Sequence, residues 1–152
     1  MTFPTQNADQ AGRVWFITGT STGFGRSLAE AVLEHGDRLI ATARDTSTID
    51  DLARAHPERA RVLELDVTDR QRVHSVVEEA TSEFGRLDVV VNNAGYGLRG
   101  ALEELPEEEM RAQFETNVFG VLRLSLRADS YAWKFVPIAG KTFTDSGTTG
   151  CH

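Results

Sequence analysis

The sequence predicts an α/β protein: a doubly wound parallel sheet covered by helices on both faces, in three layers. Three observations lead there. Apolar runs of strand length alternate with segments of helical periodicity, the order expected of a parallel sheet. The links between them are short. The first strand also passes into a helix through a glycine-rich turn, Thr18-Gly19-Thr20-Ser21-Thr22-Gly23-Phe24-Gly25. Right-handed crossovers between successive strands then wind the sheet in both directions.

Each element has its own signal. Val14-Trp15-Phe16-Ile17 is an apolar run of the right length for a buried strand. Leu28, Ala29, Val32 and Leu33 recur at helical spacing behind the glycines, and His35-Gly36 is the stop. Leu39–Ala43 reads as the second strand, a short helix runs from about Thr48 to His56 before Pro57, and Val62–Leu65 is the third strand. Thr68-Asp69-Arg70-Gln71 matches a capping box with Thr68 as the cap. The helix behind it carries Val73, Val76, Val77, Ala80 and Phe84 on one face and ends at Gly85. Leu87–Val91 is the fourth strand. A long helix is expected from Pro106 to Arg127, with Glu107, Glu108 and Glu109 at its positive end and Met110, Phe114, Val118, Val121, Leu122 and Leu126 as its apolar side. Tyr131–Ala139 suits a fifth strand, with Pro137 tolerated only at an edge or end.

Composition narrows the function. The chain has 152 residues, 40% hydrophobic and 26% charged, enough for one ordinary core and incompatible with a fully disordered or collagen-like chain. No apolar run nears the ~18 residues of a membrane span. Residues 1–12 are polar, read as disordered, and hold no apolar signal core. The net charge of −7 argues against a general nucleic-acid or anionic-membrane binder. The single cysteine, Cys151, excludes an internal disulfide and a cysteine-based metal site, and a cytoplasmic location fits.

The same numbers show a seam. All 14 arginines lie between Arg13 and Arg127, both lysines (Lys134, Lys141) lie beyond, and no leucine follows Leu126. Residues 1–127 carry the whole net charge, with 21 acids and 14 bases, while 128–152 hold two of each. The expected organisation is therefore a domain over 13–127 and an atypical tail over 128–152.

The glycine-rich turn has the logic of a phosphate cradle. One glycine allows a tight turn, another lets the backbone approach a pyrophosphate, and a third lets the helix pack closely. The helix N-terminus offers free N–H groups and partial positive charge to the anion, and Ser21 and Thr22 add hydroxyls. Gly19, Ser21, Thr22, Gly23, Phe24 and Gly25 are thus candidate cofactor residues. Arg44 stands about 25 residues after Gly19, where a carboxylate would hold a ribose 2′-hydroxyl. A guanidinium there suits a 2′-phosphate, so NADP(H) is favoured and NAD(H) is the alternative, with Asp45 partly neutralising the charge.

With Asp66-Val67 after the third strand, Asn92-Asn93-Ala94-Gly95 after the fourth and Asn117-Val118-x-Gly120 in the long helix, residues 12–127 resemble the short-chain dehydrogenase/reductase superfamily. The resemblance implies a Rossmann-like fold, incomplete here at four to five strands, and hydride transfer between NADP(H) and an alcohol or carbonyl. It implies that Asp66 and Val67 contact the adenine, that Asn93, Ala94 and Gly95 floor the cofactor site, and that Asn117 is catalytic, positioning a water in the proton relay. It also implies homo-oligomers pairing through helices such as the long one.

The resemblance stops where the chemistry begins. The family's proton donor is a tyrosine with a lysine four residues on, whose charge lowers the phenol pKa. Here Gly100 stands four after Tyr96, and Phe135 four after Tyr131. Lys134 is three after Tyr131, but that pair stands where a strand is expected. No serine of the family type follows. The chain therefore reads as the cofactor-binding part of an oxidoreductase, truncated or altered at its C-terminal side and catalytically incomplete. A non-catalytic NADP-binding regulatory module and a non-functional fragment are the alternatives.

Overall fold

In a computed structural model, the structure describes residues 12–128 and 132–137. Most of the expected disordered N-terminus and most of the expected tail, Tyr131 and Cys151 included, lie outside the described residues.

Among the described residues five parallel strands form one sheet: β1 (Val14–Ile17), β2 (Arg38–Ala43), β3 (Ala60–Glu64), β4 (Leu87–Asn92) and β5 (Ala132–Pro137), in the order β3-β2-β1-β4-β5. Trp15 lies opposite Leu39 on one side and Val89 on the other, so β1 is central. Both faces of the central strands are covered, which is why Val14, Phe16, Ile17, Leu39, Ile40 and Val90 are all fully buried. Pro137 ends the edge strand opposite Asn92, where a missing N–H costs no central ladder bond.

Helix α1 (Gly23–His35) buries Ala29, Val32 and Leu33 and stops at Gly36, whose φ of 97° is the left-handed cap a glycine accepts freely. A 3₁₀ turn (Thr46–Thr48) and helix α2 (Asp50–Ala55) replace the single short helix expected there. Helix α3 (Arg70–Phe84) buries Val73, Val76, Val77 and Ala80. Its cap is Asp69, not Thr68. The Asp69 carboxylate accepts from the N–H groups of Gln71 and Arg72 (2.9 and 3.0 Å), while the Thr68 hydroxyl donates to Asp66 (2.7 Å).

The long helix also departs from expectation. It runs as α4 (Glu107–Phe114), a π-helical segment (Glu115–Gly120) and α5 (Val121–Ala128), with Pro106 as the N-cap. The residues it buries are Gly120, Leu124 and Ala128. The apolar side read from the sequence is largely outward: Phe114, Val118, Leu122 and Leu126 are exposed. The stripe keeps its spacing of four through the π segment, but no described residue packs over it; Gly120, Leu124 and Ala128, on another side of the same helix, are the residues turned inward.

Two carboxylates clasp the amino ends of the strands. Asp88 accepts from the Val14 N–H (2.7 Å), and Asp37 accepts from the Arg13 N–H (2.9 Å) and the Trp15 indole N–H (3.0 Å). Burial pushes the Asp37 carboxyl up, but the Arg13 and Trp15 bonds and the neighbouring His35 outweigh it and hold it below its ordinary value.

Candidate functional site

The strand order reverses direction between β1 and β4, and ligands of open α/β sheets bind at the carboxyl ends of the strands at such a point. A cleft of about 870 Å³ opens there, within the usual ~300–1,000 Å³ of small-molecule sites. Every cofactor residue expected from the sequence lines it except Gly23 and Gly25.

Those two glycines shape the cleft from behind. Gly23 has φ 60° and open space around a notional Cβ, so only its backbone conformation needs glycine. At Gly25 a Cβ would stand 2.2 Å from Asn93 Nδ2 and 2.3 Å from the Gly19 carbonyl oxygen. Helix α1 therefore seats against the turn only because that side chain is missing. Gly19 combines both needs: φ is 67°, and a Cβ would meet Ala94 Cα at 2.9 Å.

The turn is locked to the loop after β4 by buried threonine. The Thr18 hydroxyl accepts from the N–H groups of Asn93 (3.0 Å) and Ala94 (2.9 Å). Asn93 Nδ2 donates back to the carbonyls of Thr18 (3.0 Å) and Gly19 (2.8 Å). Thr20 donates to the Thr42 carbonyl (3.1 Å), and Thr42 to that of Ile17 (3.2 Å). Sequence reading did not single out these three threonines as site residues. Their signal was present: a polar residue within or just after a buried strand must find a partner.

Facing the cleft, the N-terminus of α1 is open. Thr22 is its N-cap and makes no side-chain cap bond, and the first turn holds no acid. The other helices that begin after a loop differ. Helix α3 is capped by Asp69, α2 begins with Asp50 and Asp51, and α4 begins with Glu107, Glu108 and Glu109. The first-turn N–H groups of α1 thus keep their capacity for an anion.

On the β2–β3 side, Arg44 lines the cleft, exposed and without an ion pair among the described residues. Asp45 forms no ion pair with it among the described residues. Its carboxylate turns to Ser47, accepting from the hydroxyl (2.7 Å) and the N–H (3.0 Å), and both bonds hold its pKa below the ordinary value. Asp66 accepts from the Thr68 N–H (2.9 Å), which fixes the turn beside the buried Val67. Helix and turn meet closely here, since a Cβ on Gly120 would stand 2.8 Å from Val67 Cγ2.

On the β4 side, Asn117 stands in the π segment. Its Oδ1 accepts from the Tyr96 N–H (3.1 Å) and its Nδ2 donates to the Tyr96 carbonyl (2.6 Å). A Cβ on Gly95 would lie 3.0 Å from Asn117 Oδ1, so the small residue lets the amide reach the loop. Among the described residues no cluster of histidine, cysteine and carboxylates could hold a metal ion, and no helix is long and apolar enough to cross a membrane.

A parallel α/β sheet with a glycine-rich cradle at its switch point defines a dinucleotide-binding protein. The chain belongs to the short chain dehydrogenase family, whose sequence profile matches residues 13–131. It is 46% identical over 122 residues to the oxidoreductase calM of Penicillium decumbens, covering 78% of this chain and 40% of that protein. A short-chain dehydrogenase from Streptomyces avermitilis superposes with a TM-score of 0.75 at 47% identity, covering 78% of this chain and 43% of that one. Two further structures carry cofactors: a 3-ketoacyl-(acyl-carrier-protein) reductase from Brucella melitensis complexed with NADH (TM-score 0.75, 30% identity, 79% of this chain and 50% of that one), and an alcohol dehydrogenase from Thermococcus sibiricus complexed with 5-hydroxy-NADP (TM-score 0.75, 32% identity, 78% and 52%). The fold is thus one that takes NAD(P)(H). The chain spans less than half the length of the curated relatives it matches.

Proposed function

We propose that this chain is the NADP(H)-binding part of an oxidoreductase acting on an alcohol or carbonyl, and that these 152 residues do not catalyse the reaction alone. The observation that carries the reading is the open N-terminus of α1 at the cleft, with Arg44, which has no ion pair among the described residues, lining the same cleft. In this reading the N–H groups of residues 21–25 and the Ser21 and Thr22 hydroxyls hold the pyrophosphate. Arg44 pairs with the 2′-phosphate, Asp66 and Val67 border the adenine, and Asn93, Ala94 and Gly95 floor the nicotinamide side. The nicotinamide supplies or accepts the hydride when bound. Asn117 helps order a water there with the oxygen lone pair and the amide hydrogen that its two bonds to Tyr96 leave over.

Two residue patterns support the incompleteness. Neither tyrosine has a lysine four places on, and Lys134 lies in strand β5 opposite Val89 rather than on a helix. The cofactor unit is assigned to 13–127, with 128–152 as a tail of different character. The exposed Phe114, Leu122 and Leu126 of the long helix support pairing with a second copy. One cysteine in the sequence suits a reducing, cytoplasmic setting.

Parallel calorimetric titration with NADPH and NADH tests the reading, together with a turnover assay on a carbonyl panel. Tighter binding of NADPH with no turnover is expected. Binding of neither dinucleotide refutes cofactor binding. Turnover that Tyr131→Phe abolishes refutes incompleteness.

A further inference from the structure

We infer that Gln113 is a positioning residue for the nicotinamide half of the cleft, an inference that rests on the NADP(H) reading. The loop after Ala94 leaves the sheet and has no regular structure up to Gly100. Among the described residues, the hydrogen bonds that reach residues 95–100 all end on Tyr96 and all come from one helix. Two are from Asn117, and the third is Gln113 Nε2 donating to the Tyr96 carbonyl (3.1 Å). An offset of four places both amides on one side of the helix, and a carbonyl oxygen has lone pairs for both donors.

The two amides stand on different elements. Gln113 is in α4, whereas Asn117 is in the π segment. The Gln113 bond therefore ties the loop across the change of helical register, and holds Tyr96 against pivoting about Asn117 alone. Tyr96 lines the cleft on the β4 side of the switch point, opposite Arg44 and Asp66, which follow β2 and β3. A dinucleotide laid across the point with its 2′-phosphate at Arg44 brings its nicotinamide to Tyr96. Gln113 touches neither end, so it acts through Tyr96.

The test titrates the chain, Gln113→Met and Gln113→Lys with NADPH and with adenosine 2′,5′-bisphosphate, which carries only the adenosine half. The unaltered chain is expected to bind NADPH more tightly than the bisphosphate. Gln113→Met, similar in volume but without a donor, is expected to weaken NADPH about fivefold to tenfold, the worth of one hydrogen bond, and to leave the bisphosphate unchanged. Gln113→Lys keeps an N–H donor and is expected to restore NADPH affinity without raising that of the bisphosphate. Three results would overturn the inference: unchanged NADPH affinity in Gln113→Met, equal losses for both ligands, or equal affinity of the unaltered chain for both. Failure of the unaltered chain to bind either ligand would instead overturn the NADP(H) reading itself.

Discussion

The two flanks of the sheet are finished to different degrees. On the flank covered by α1 and α2, Ile17, Ala29, Leu33, Leu39, Ala41 and Ile49 form one apolar cluster with Val89 and Val91 of β4. Arg26 ties α1 to α2 through Asp51 while also holding Glu30 (2.7 Å), and those carboxylates raise its pKa further. Phe24, at the mouth of the cleft, is the large apolar residue exposed on that flank. On the other flank, α5 gives Leu124 and Ala128 to the core yet leaves Leu126 78% and Leu122 51% exposed. Phe114 and Phe119 line an open hollow of about 740 Å³ with Met110, which adjoins the cleft at Ala112 and Glu115. The cradle thus depends on contacts the chain makes with itself, whereas the long helix keeps an apolar face that nothing among the described residues covers.

Substitutions sharpen that contrast, beginning with the largest expected effect. Gly25→Val drives carbon into Asn93 and the Gly19 carbonyl, and is expected to cost about 3 kcal/mol in a urea melt and to abolish NADPH binding. Thr18→Val keeps the shape but strands the N–H groups of Asn93 and Ala94, an expected loss of about 2 kcal/mol by the same melt. Arg44→Ala is expected to weaken NADPH about tenfold to thirtyfold by calorimetry, leaving NADH unchanged, because only the 2′-phosphate loses its charge-assisted bonds. Equal losses for both cofactors would remove the 2′-phosphate from Arg44.

Acid acts on the clasp at the far end of the strands. The folded Asp37 carboxyl titrates below its unfolded value, so its contribution is present above the ordinary carboxylate range and is lost as pH falls through the folded pKa. Stability measured by denaturant should therefore decline below about pH 4, and Asp37→Asn should flatten that decline. The smallest effect is expected at the outer face. Leu126→Lys should change stability by less than about 0.5 kcal/mol, yet shift any self-association seen by sedimentation toward monomer. A cost of about 3 kcal/mol, as at a buried leucine, would show that the face is covered.

Strands β1 and β4 and helix α1 were legible because apolar run length and the Gly36 stop are local signals. So was the cleft, since the glycines, Arg44, Asp66 and Asn93 each sit at the carboxyl end of a readable strand. The α3 cap was misplaced by one residue because Thr68 and Asp69 are both good caps, and only the fold shows Thr68 committed to Asp66. The long helix was misread because its apolar spacing records what side chains could bury, not what lies opposite them. No local pattern announces a π segment, which here carries the contact between Asn117 and Tyr96, 21 residues apart.

An amide chemical-shift map of the chain titrated with NADPH tests the central claim most directly. Shifts confined to residues 19–25, Arg44, Asp66–Val67 and Asn93–Tyr96, with the 2′-phosphate felt at Arg44 and absent when NADH is used, are the expected result. Shifts clustered instead around Met110, Phe114 and Phe119, or none at saturating NADPH, would contradict it.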